Sequence, residues 1–125
     1  PGADTTTPGY IELIKNRSRW IRSMVSAMKE IDAFLSPTVP CVAQQYRVLA
    51  KSRERIGVFQ IKLSLLLRNH SAINFLDGCT ISIPCQAPDE LPVGLMVWSR
   101  EMEDVTVLNI AKVIEPVLVL EFLKN

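Results

Sequence analysis

A cysteine and a histidine are the first residues in this sequence that could support nucleophilic chemistry. His70 is the single histidine, and Cys79 and Cys85 follow it along the chain. A reactive thiolate needs a lowered pKa, which a helix N-terminus or a neighbouring cation provides. Cys79 instead follows the end of a predicted helix, where the helix dipole is negative. The sequence therefore favours a hydrogen-bonded helix histidine beside a buried thiol over a Cys–His dyad.

Serines and metal ligands offer no stronger candidate. A serine nucleophile needs a base and an oxyanion hole, yet several serines lie in the first predicted helix or the strand after it: Ser18, Ser23, Ser26 and Ser36. The five glycines are scattered, and no Gly-Ser-rich run marks a nucleophile loop. One histidine and three dispersed cysteines without a CxxC pair lack zinc-ligand spacing. We therefore expect no catalytic residue, metal site or cofactor in this chain.

Length, charge and cysteine content restrict the class of protein. The 125 residues suffice for one modest domain, and we treat residues 1–125 as a single segment. A net charge of +1 gives no reason to expect a nucleic-acid partner. Three cysteines without a signal peptide are typical of reduced thiols in a cytoplasmic protein. The longest apolar runs are far shorter than the ~20 residues of a membrane span, so no membrane partner is expected.

Apolar periodicity predicts the helices. Thr7 followed by Pro8 is typical of a helix start, with a hydroxyl N-cap and proline at the first helical position. Apolar residues from Ile11 to Ile31 then recur at helical spacing, which predicts an amphipathic helix of about six turns. Residues 41–57 are ambiguous. Tyr46–Ile56 is a candidate helix there, with Gly57 at its end.

Two further helices are predicted later in the chain. Phe59–Phe75 should be helical, with inward residues that include Ile61, Leu65, Leu66 and Ile73. Val105–Glu115 should form the last helix, capped by Asp104, with an inner face that contains Leu108, Ala111 and Ile114. Pro116 should break or kink this helix, which leaves Val117–Phe122 as a strand or a further helical turn.

Three short apolar runs predict strands. Asp32–Pro37 and Thr80–Ile83 are apolar enough to be buried on both faces, and Val93–Trp98 follows a polar loop. Gly78 should supply the positive φ of the turn before the second strand. Gly94 should mark a close backbone approach or a bulge, and we interpret it as a packing position. These elements predict an α/β fold in which helices flank a mixed β-sheet.

Two stretches of the sequence resemble the amidase signature family. The first, DAFLSPTVP, resembles the family pattern Y-D-[AV]-L-[LV]-x-P-T-x-P. The second, from NFLDGCTISIP to LPVGLM, resembles N-x-x-G-x-P-A-x-S-x-P followed by G-L-P-V-G-[LV]-[QM]. It departs from the usual Gly-Leu-Pro-Ala at Asp77–Thr80, as in a minority of amidase-like sequences that carry Asp-x-Cys. The resemblance is strongest at residues 8–40 and 66–115.

The resemblance implies the C-terminal portion of an amidase-like hydrolase that cleaves carboxamide C–N bonds. The family's catalytic lysine and two serines lie upstream, so this chain would contribute sheet and substrate-funnel elements. Thr38, which follows a strand, is one candidate for the substrate channel. Asp77 and Cys79 are the others. Thr38 as a turn former and Asp77 as a turn-stabilising side chain are the alternatives.

The implied partners are the rest of the amidase polypeptide and a small amide substrate. A homo-oligomer is left open, and transfer of ammonia to transfer RNA, as in the amidotransferase branch, has no support in the sequence. Because the predicted strands need neighbours, we expect a fragment of a longer polypeptide. The alternative is a non-catalytic binding or structural α/β module.

Overall fold

The computed structural model describes residues 4–43 and 56–122, which form three helices and three strands. Their order is α1 (Thr7–Ala27), β1 (Phe34–Pro37), α2 (Ile56–Leu76), β2 (Cys79–Pro84), β3 (Gly94–Ser99) and α3 (Asp104–Phe122). The chain divides into two compact units, residues 1–32 and residues 33–125. The candidate helix Tyr46–Ile56 lies outside the described residues except at Ile56. Gly57 lies inside α2, so the prediction that it ends a helix was wrong.

The first unit contains α1, and its N-cap is one residue earlier than predicted. The Thr6 hydroxyl accepts a hydrogen bond from the Gly9 N–H at 3.3 Å, and Pro8 is the second helical residue. Proline fits there because the N–H groups of the first turn have no intrahelical acceptor. The helix ends at Ala27, so Ile31, which was predicted to extend its apolar face, lies beyond it.

The second unit contains a three-stranded sheet in the order β1–β3–β2. In β1, Phe34 pairs with Trp98 and Ser36 with Met96; in β2, Ser82 pairs with the same Met96. The predicted α/β class is confirmed. Both pairings are antiparallel, so the described strands include none of the parallel pairs that a mixed sheet would contain.

One face of the sheet packs against α3 through an apolar cluster. Ile83, Val97, Val107 and Ala111 are buried at its centre, and Ile110, Ile114 and Leu118 are among the half-buried residues around them. Full burial of a Val or Ile side chain contributes roughly 1.5–3 kcal/mol, so this cluster is a main source of stability. Leu108 was predicted to face inward but is 55% exposed, because the buried stripe of α3 begins at Val107.

The opposite face carries buried Met96 and a stacked aromatic pair. The Phe34 and Trp98 rings are 4.6 Å apart at their centroids. Leu35, in contrast, is 56% exposed on β1, which is an edge strand in the order β1–β3–β2. The prediction that β1 is buried on both faces was therefore wrong, since only every second residue of β1 is partly covered.

Helix α2 matches its predicted range closely. Among its residues 63–76, the part whose burial the structure describes, the buried side chains lie at the C-terminal end. Ile73 is buried as predicted, and Leu76 is buried too. Leu66 is half-buried, whereas Leu65 is 46% exposed. The side chain of Ile61 lies outside the described part of the structure.

The last helix continues through its proline. Helix α3 runs to Phe122 with Pro116 inside it, so Val117–Phe122 forms further helical turns and the predicted break does not occur. Proline removes one N–H donor, which leaves the Lys112 carbonyl without that intrahelical bond. The helix begins at Asp104, and the Glu103 carbonyl accepts the first bond, from Val107 N–H at 3.0 Å. Asp104 is thus the first helical residue instead of the predicted cap.

A Schellman motif ends α2 and turns the chain into β2. The Gly78 N–H bonds to the Ile73 carbonyl at 3.0 Å, and the Asp77 N–H bonds to the Asn74 carbonyl at 3.3 Å. The residue with positive φ is Asp77, at 61°. Gly78 has no positive φ, so its predicted role was wrong. Aspartate tolerates this conformation better than most residues because its short polar side chain can hydrogen-bond locally.

Glycine is required at position 78 for space. A Cβ built there would lie 2.5 Å from the Ser99 carbonyl oxygen and 3.1 Å from Ile73 Cγ2. The Ser99 oxygen belongs to the backbone of β3, so it cannot move aside as a flexible side chain would. The turn thus has two requirements that different residues meet. Asp77 adopts the positive φ angle, and Gly78 leaves space for the backbone of β3.

The positive φ of Asp77 predicts that glycine is more stable than alanine at position 77, the reverse of their order in a helix interior. Asp77→Gly should be more stable than Asp77→Ala by about 1 kcal/mol, because alanine is strained in the left-handed region. In an ordinary helix interior alanine would be the more stable by a similar amount. Both variants lose the carboxylate, so the pair isolates the backbone. Urea titration measures the difference, and equal stabilities would show that the turn is placed wrongly.

Gly78→Ala should cost about 1–3 kcal/mol through overpacking against β3. The matched control is Gly9→Ala in α1, whose added methyl would meet nothing closer than 3.3 Å. A smaller effect is expected for the control. If both variants unfold at the same urea concentration as the parent, the approach of Gly78 to Ser99 does not exist in solution.

A charged cluster joins β3 to α3. Arg100 Nη2 and Nε donate to Glu103 Oε1 at 2.8 and 3.2 Å, and Thr106 Oγ1 donates to Oε2 at 2.8 Å. The bonds from Arg100, followed by the bond from Thr106, lower the pKa of Glu103. The ionised carboxylate is therefore favoured by folding.

The sign of the pH effect follows from this lowered pKa. The contribution of Glu103 is present above the pKa that this residue has in the unfolded chain, and it is lost as pH falls through the lower pKa of the folded state. The free energy of unfolding of Glu103→Gln should therefore fall less steeply between neutral and acid pH. Because the side chains of Arg100 and Glu103 are only half-buried, solvent screens their interaction and the difference should be small. Glu101→Gln removes an exposed charge nearby and serves as the control. Identical pH profiles for the parent and Glu103→Gln would contradict the prediction.

Candidate functional site: a polar pocket at one end of the sheet

Hydroxyl side chains line the sheet face opposite the apolar cluster. Successive side chains of a strand point to opposite faces, so Thr80 and Ser82 share one face of β2 while Ile81 and Ile83 share the other. Ser36 of β1 lies in the same cross-strand row as Met96 and Ser82. The sheet therefore presents an apolar face to α3 and a face with several hydroxyl groups on its other side.

A pocket of about 260 Å³ lies at one end of this hydroxyl-bearing face. Its lining consists of small, polar or apolar side chains from β2, β3 and the adjoining loops: Thr38, Ser82, Pro84, Gln86, Pro92, Val93 and Gly94. Backbone bonds beyond the strands hold these loops, with Thr38 N–H bonded to the Gly94 carbonyl at 2.8 Å and Cys85 N–H to the Val93 carbonyl at 2.9 Å. The pocket is thus built on extensions of the sheet ladder.

Thr38 and Ser82 meet across β3. Their hydroxyl oxygens are 2.5 Å apart, although they come from β2 and the end of β1, on opposite sides of the central strand. Gly94 lies between them, and a Cβ built there would be 2.5 Å from each oxygen. The predicted close approach at Gly94 is confirmed, and the neighbouring groups are these two hydroxyls.

The pocket supplies neutral hydrogen-bond donors. Two hydroxyls that share one hydrogen bond keep one O–H for a third group. Gln86 accepts the Val93 N–H through Oε1 at 3.2 Å, which leaves its side-chain NH₂ as a donor. Among the residues that the structure describes, the lining contains no titratable side chain and therefore no general base or acid. This arrangement can orient a carbonyl or carboxamide group. Its hydroxyl and amide groups are too weakly basic and too weakly acidic to act as a general base or acid.

The structure does not bring the three predicted channel residues together. Thr38 lies at the end of the sheet where Pro84 pairs with Gly94, whereas Cys79 begins β2 at the other end. Five residues of strand separate Cys79 from Pro84, or about 17 Å. Asp77 precedes Cys79 in the turn. Of the three, Thr38 lines the pocket, and a channel role for Asp77 and Cys79 stays a prediction.

Cys79 points into the apolar side of the sheet. Its side chain packs against the cluster beneath α3, and Sγ donates to the Arg100 carbonyl at 3.2 Å. His70 Nδ1 is buried and has no hydrogen-bond partner among the described residues. A Cys79–His70 dyad is therefore not formed, and the hydrogen bond predicted for the histidine is not found at Nδ1.

Sequence reasoning missed Ser82 and Gln86. The alternation of Thr80 and Ser82 with isoleucines was visible, but the strand was predicted to be buried on both faces. That prediction was wrong, because Thr80 and Ser82 are exposed on one face of β2. The contact of Ser82 with Thr38 depends on the antiparallel register across β3, which no local pattern contains. Gln86 lies in a loop, where periodicity gives no information.

Within residues 4–43 and 56–122, no three side chains of the metal-ligating types are grouped as a metal site would require. None of the helices described is long and apolar enough to cross a membrane.

The role of Gly94 is testable through its two neighbours. Gly94→Ala should cost about 1–3 kcal/mol because the methyl group displaces both hydroxyls. In a Thr38→Ala, Ser82→Ala background the same substitution should cost less, since the oxygens that it meets are gone. Chemical denaturation of the four proteins gives this coupling energy. An equal cost in both backgrounds would show that the hydroxyl pair is not what requires glycine.

Comparison with known proteins identifies the family. The model of the Amidase family matches residues 2–108. The chain is 31% identical over 122 residues to a glutamyl-tRNA(Gln) amidotransferase subunit from Salinispora tropica, with 94% of this chain and 23% of that protein covered. It is 24% identical over 120 residues to the protein of the same name from Acidobacterium capsulatum, which covers 91% of this chain and 24% of that protein.

A third relative is an uncharacterized protein encoded in the nthA 5′ region of Rhodococcus erythropolis. It is 28% identical over 90 residues, which cover 72% of this chain and 44% of that protein. No solved structure matches. The chain spans about a quarter of the length of the two amidotransferase subunits. The family match over most of its residues confirms the resemblance expected from the two motifs: the chain belongs to the amidase family.

Proposed function

We propose that this chain is the C-terminal portion of an amidase-like hydrolase that cleaves carboxamide C–N bonds, and that it supplies sheet and substrate-binding elements without the catalytic residues. Membership in the amidase family supports the reaction class. The observation that supports this division is the pocket at Thr38 and Ser82, whose described lining residues include hydrogen-bond donors and no titratable side chain. The rest of the polypeptide would supply the nucleophile and base.

Neutral donors suit a neutral substrate. A carboxamide presents a carbonyl oxygen that can accept from the free O–H of the hydroxyl pair or from the Gln86 amide. Pro84, Pro92 and Val93 give the pocket apolar walls against which the carbon skeleton of an amide could pack. The contribution of this chain is then to position the amide for attack, a role that acts through geometry. Asp77 and Cys79 are further candidates for contact with the substrate channel in the whole enzyme.

Two properties of the chain are consistent with a cytoplasmic enzyme. Its three cysteines are free, as expected in a reducing compartment, and its net charge is close to zero. We propose the cytoplasm as its location and the remaining amidase polypeptide as its partner.

A chimera tests the proposal. The matched segment of the Salinispora tropica protein is replaced by this chain, and amide hydrolysis is measured for the chimera and for the 125-residue chain by itself. We expect turnover from the chimera and none from the chain alone. In the chimera, the double variant Thr38→Val, Ser82→Ala should raise KM for the amide by ~10-fold, the scale of one or two lost hydrogen bonds. Ser71→Ala, at an exposed position in α2, is the matched control.

Two outcomes would contradict the proposal. The first is turnover by the isolated chain that disappears in Cys79→Ala or Cys85→Ala, which would place a thiol nucleophile in this segment. The second is a folded chimera whose KM does not respond to the double variant, which would remove the pocket at Thr38 from the substrate path.

Amide transfer is a second candidate, and the observation that favours it is the name of the relatives. The Salinispora tropica and Acidobacterium capsulatum proteins are both named as subunits of glutamyl-tRNA(Gln) amidotransferase. A chain of this type would work with other subunits. The same chimera distinguishes the two candidates. Glutamine serves as the amide donor in this assay. Nitrogen recovered on the transfer RNA supports amide transfer. Nitrogen released as ammonia, whether or not transfer RNA is present, supports hydrolysis.

A further inference from the structure

A second pocket lies between α2 and the sheet, apart from the site at Gly94. It has a volume of about 260 Å³, and its lining combines polar side chains with an apolar wall: Ser36, Arg68, Asn69, Ile73, Met96 and Trp98. No residue of this lining is shared with the pocket at Thr38. Asn69 Nδ2 donates to the Pro37 carbonyl at 2.7 Å, so the helix is tied to β1 beside the pocket.

The Ser36 hydroxyl is the feature of this pocket that needs explanation. Its oxygen is buried and has no hydrogen-bond partner among the described residues. A buried hydroxyl without a partner costs about 1–3 kcal/mol, and natural proteins leave few such groups. The residue lies on the hydroxyl-bearing face of the sheet and lines the pocket. A ligand atom in the pocket would complete its hydrogen bonding.

Arg68 determines the charge of that ligand. It lines the same pocket, and it forms no ion pair or hydrogen bond within the described part of the chain. Within the described part of the chain, no acidic side chain lines the pocket. A guanidinium group offers paired N–H donors that match the two oxygens of a carboxylate. Because Arg68 is exposed, its charge stays hydrated when no ligand is bound.

The remaining walls favour a ligand with an apolar body. Met96 and Ile73 are 1% and 2% exposed, and the Trp98 ring is held by its stack on Phe34. Met96 and Ile73 are already covered, so the half-buried Trp98 ring offers most of the apolar surface of these three side chains. A bare phosphate would leave that ring without a contact, whereas a carboxylate attached to a ring or short alkyl group would cover it. The volume of the pocket is near the lower end for small-molecule sites, which limits the ligand to a small one.

We propose that this pocket binds a small monocarboxylate with an apolar body, whose carboxylate is held by Arg68 and the Ser36 hydroxyl. The ring or alkyl part packs between Ile73, Met96 and Trp98. The proposal does not depend on amide cleavage, because the residues that carry it differ from those of the pocket at Thr38.

The test uses two probes of nearly equal shape, cyclohexanecarboxylate and cyclohexanecarboxamide. Isothermal titration calorimetry on the 125-residue chain should give binding of the carboxylate at least ~10-fold tighter than that of the carboxamide, the scale of one charge-assisted hydrogen bond. Inorganic phosphate should bind more weakly than the carboxylate. The indole N–H resonance of Trp98 should shift on addition of the carboxylate.

Three variants assign the site. Arg68→Gln should weaken carboxylate binding by ~10-fold or more and leave the carboxamide unaffected. Arg22→Gln, which removes an exposed arginine from α1, is the matched control and should change neither. Ser36→Ala should weaken carboxylate binding while the ligand-free protein keeps or raises its Tm, because an unpaired buried hydroxyl is replaced by an apolar group. A purely structural serine would lower Tm instead.

Equal affinity for the two cyclohexane probes would overturn the proposal, as would carboxylate affinity that is unchanged in Arg68→Gln. Stronger binding of inorganic phosphate than of the carboxylate would also overturn it and indicate a simple anion site. If neither probe binds at millimolar concentration, the pocket is not a carboxylate site.

Discussion

The antiparallel pairing of β3 with both of its neighbours is the constraint on which the rest of this structure depends. Each strand residue points to one face or the other, so the register of β3 decides which side chains share a surface. Val97 then joins the apolar cluster beneath α3, while Met96 joins Ser36 and Ser82 on the opposite face. A slip of one residue would exchange the two faces and expose the apolar set to water. Both pockets on the hydroxyl-bearing face follow from this register.

Local patterns predicted the elements well because each element has a local cause. Helical spacing, the prolines and the short β-branched runs placed all three helices and three strands in the correct order. The errors have non-local causes. The turn before β2 was expected to need glycine for a positive φ, yet Asp77 takes that conformation and Gly78 is required by the Ser99 carbonyl of β3. That carbonyl is far away in sequence, so no reading of the turn itself could have found it.

The same distinction applies to the candidate site. Thr38 was recognisable from its place after a strand, whereas Ser82 was assigned to a strand expected to be buried on both faces and was not recognised as a pocket residue. Their meeting over Gly94 depends on two strand pairings at once. The predicted inner face of α3 was wrong at Leu108 for a simpler reason. Valine and leucine residues occur on several sides of that helix, so apolar spacing alone does not identify the buried side.

Glycine at 78 and glycine at 94 illustrate how the sheet limits what its surroundings can do. At position 78 the absent side chain lets the turn approach the backbone of β3, which fixes where β2 begins. At position 94 it lets two hydroxyls from opposite sides of β3 reach each other. The approach at Gly78 fixes the register of β2. The approach at Gly94 depends on that register and brings two polar side chains together on one face of the sheet. Because the described lining residues of both pockets include no acidic group and no histidine, the chemistry of this face is recognition by hydrogen bonds and, at Arg68, by charge. Any catalytic proton transfer in a protein that contains this sheet must then depend on groups outside these two pockets.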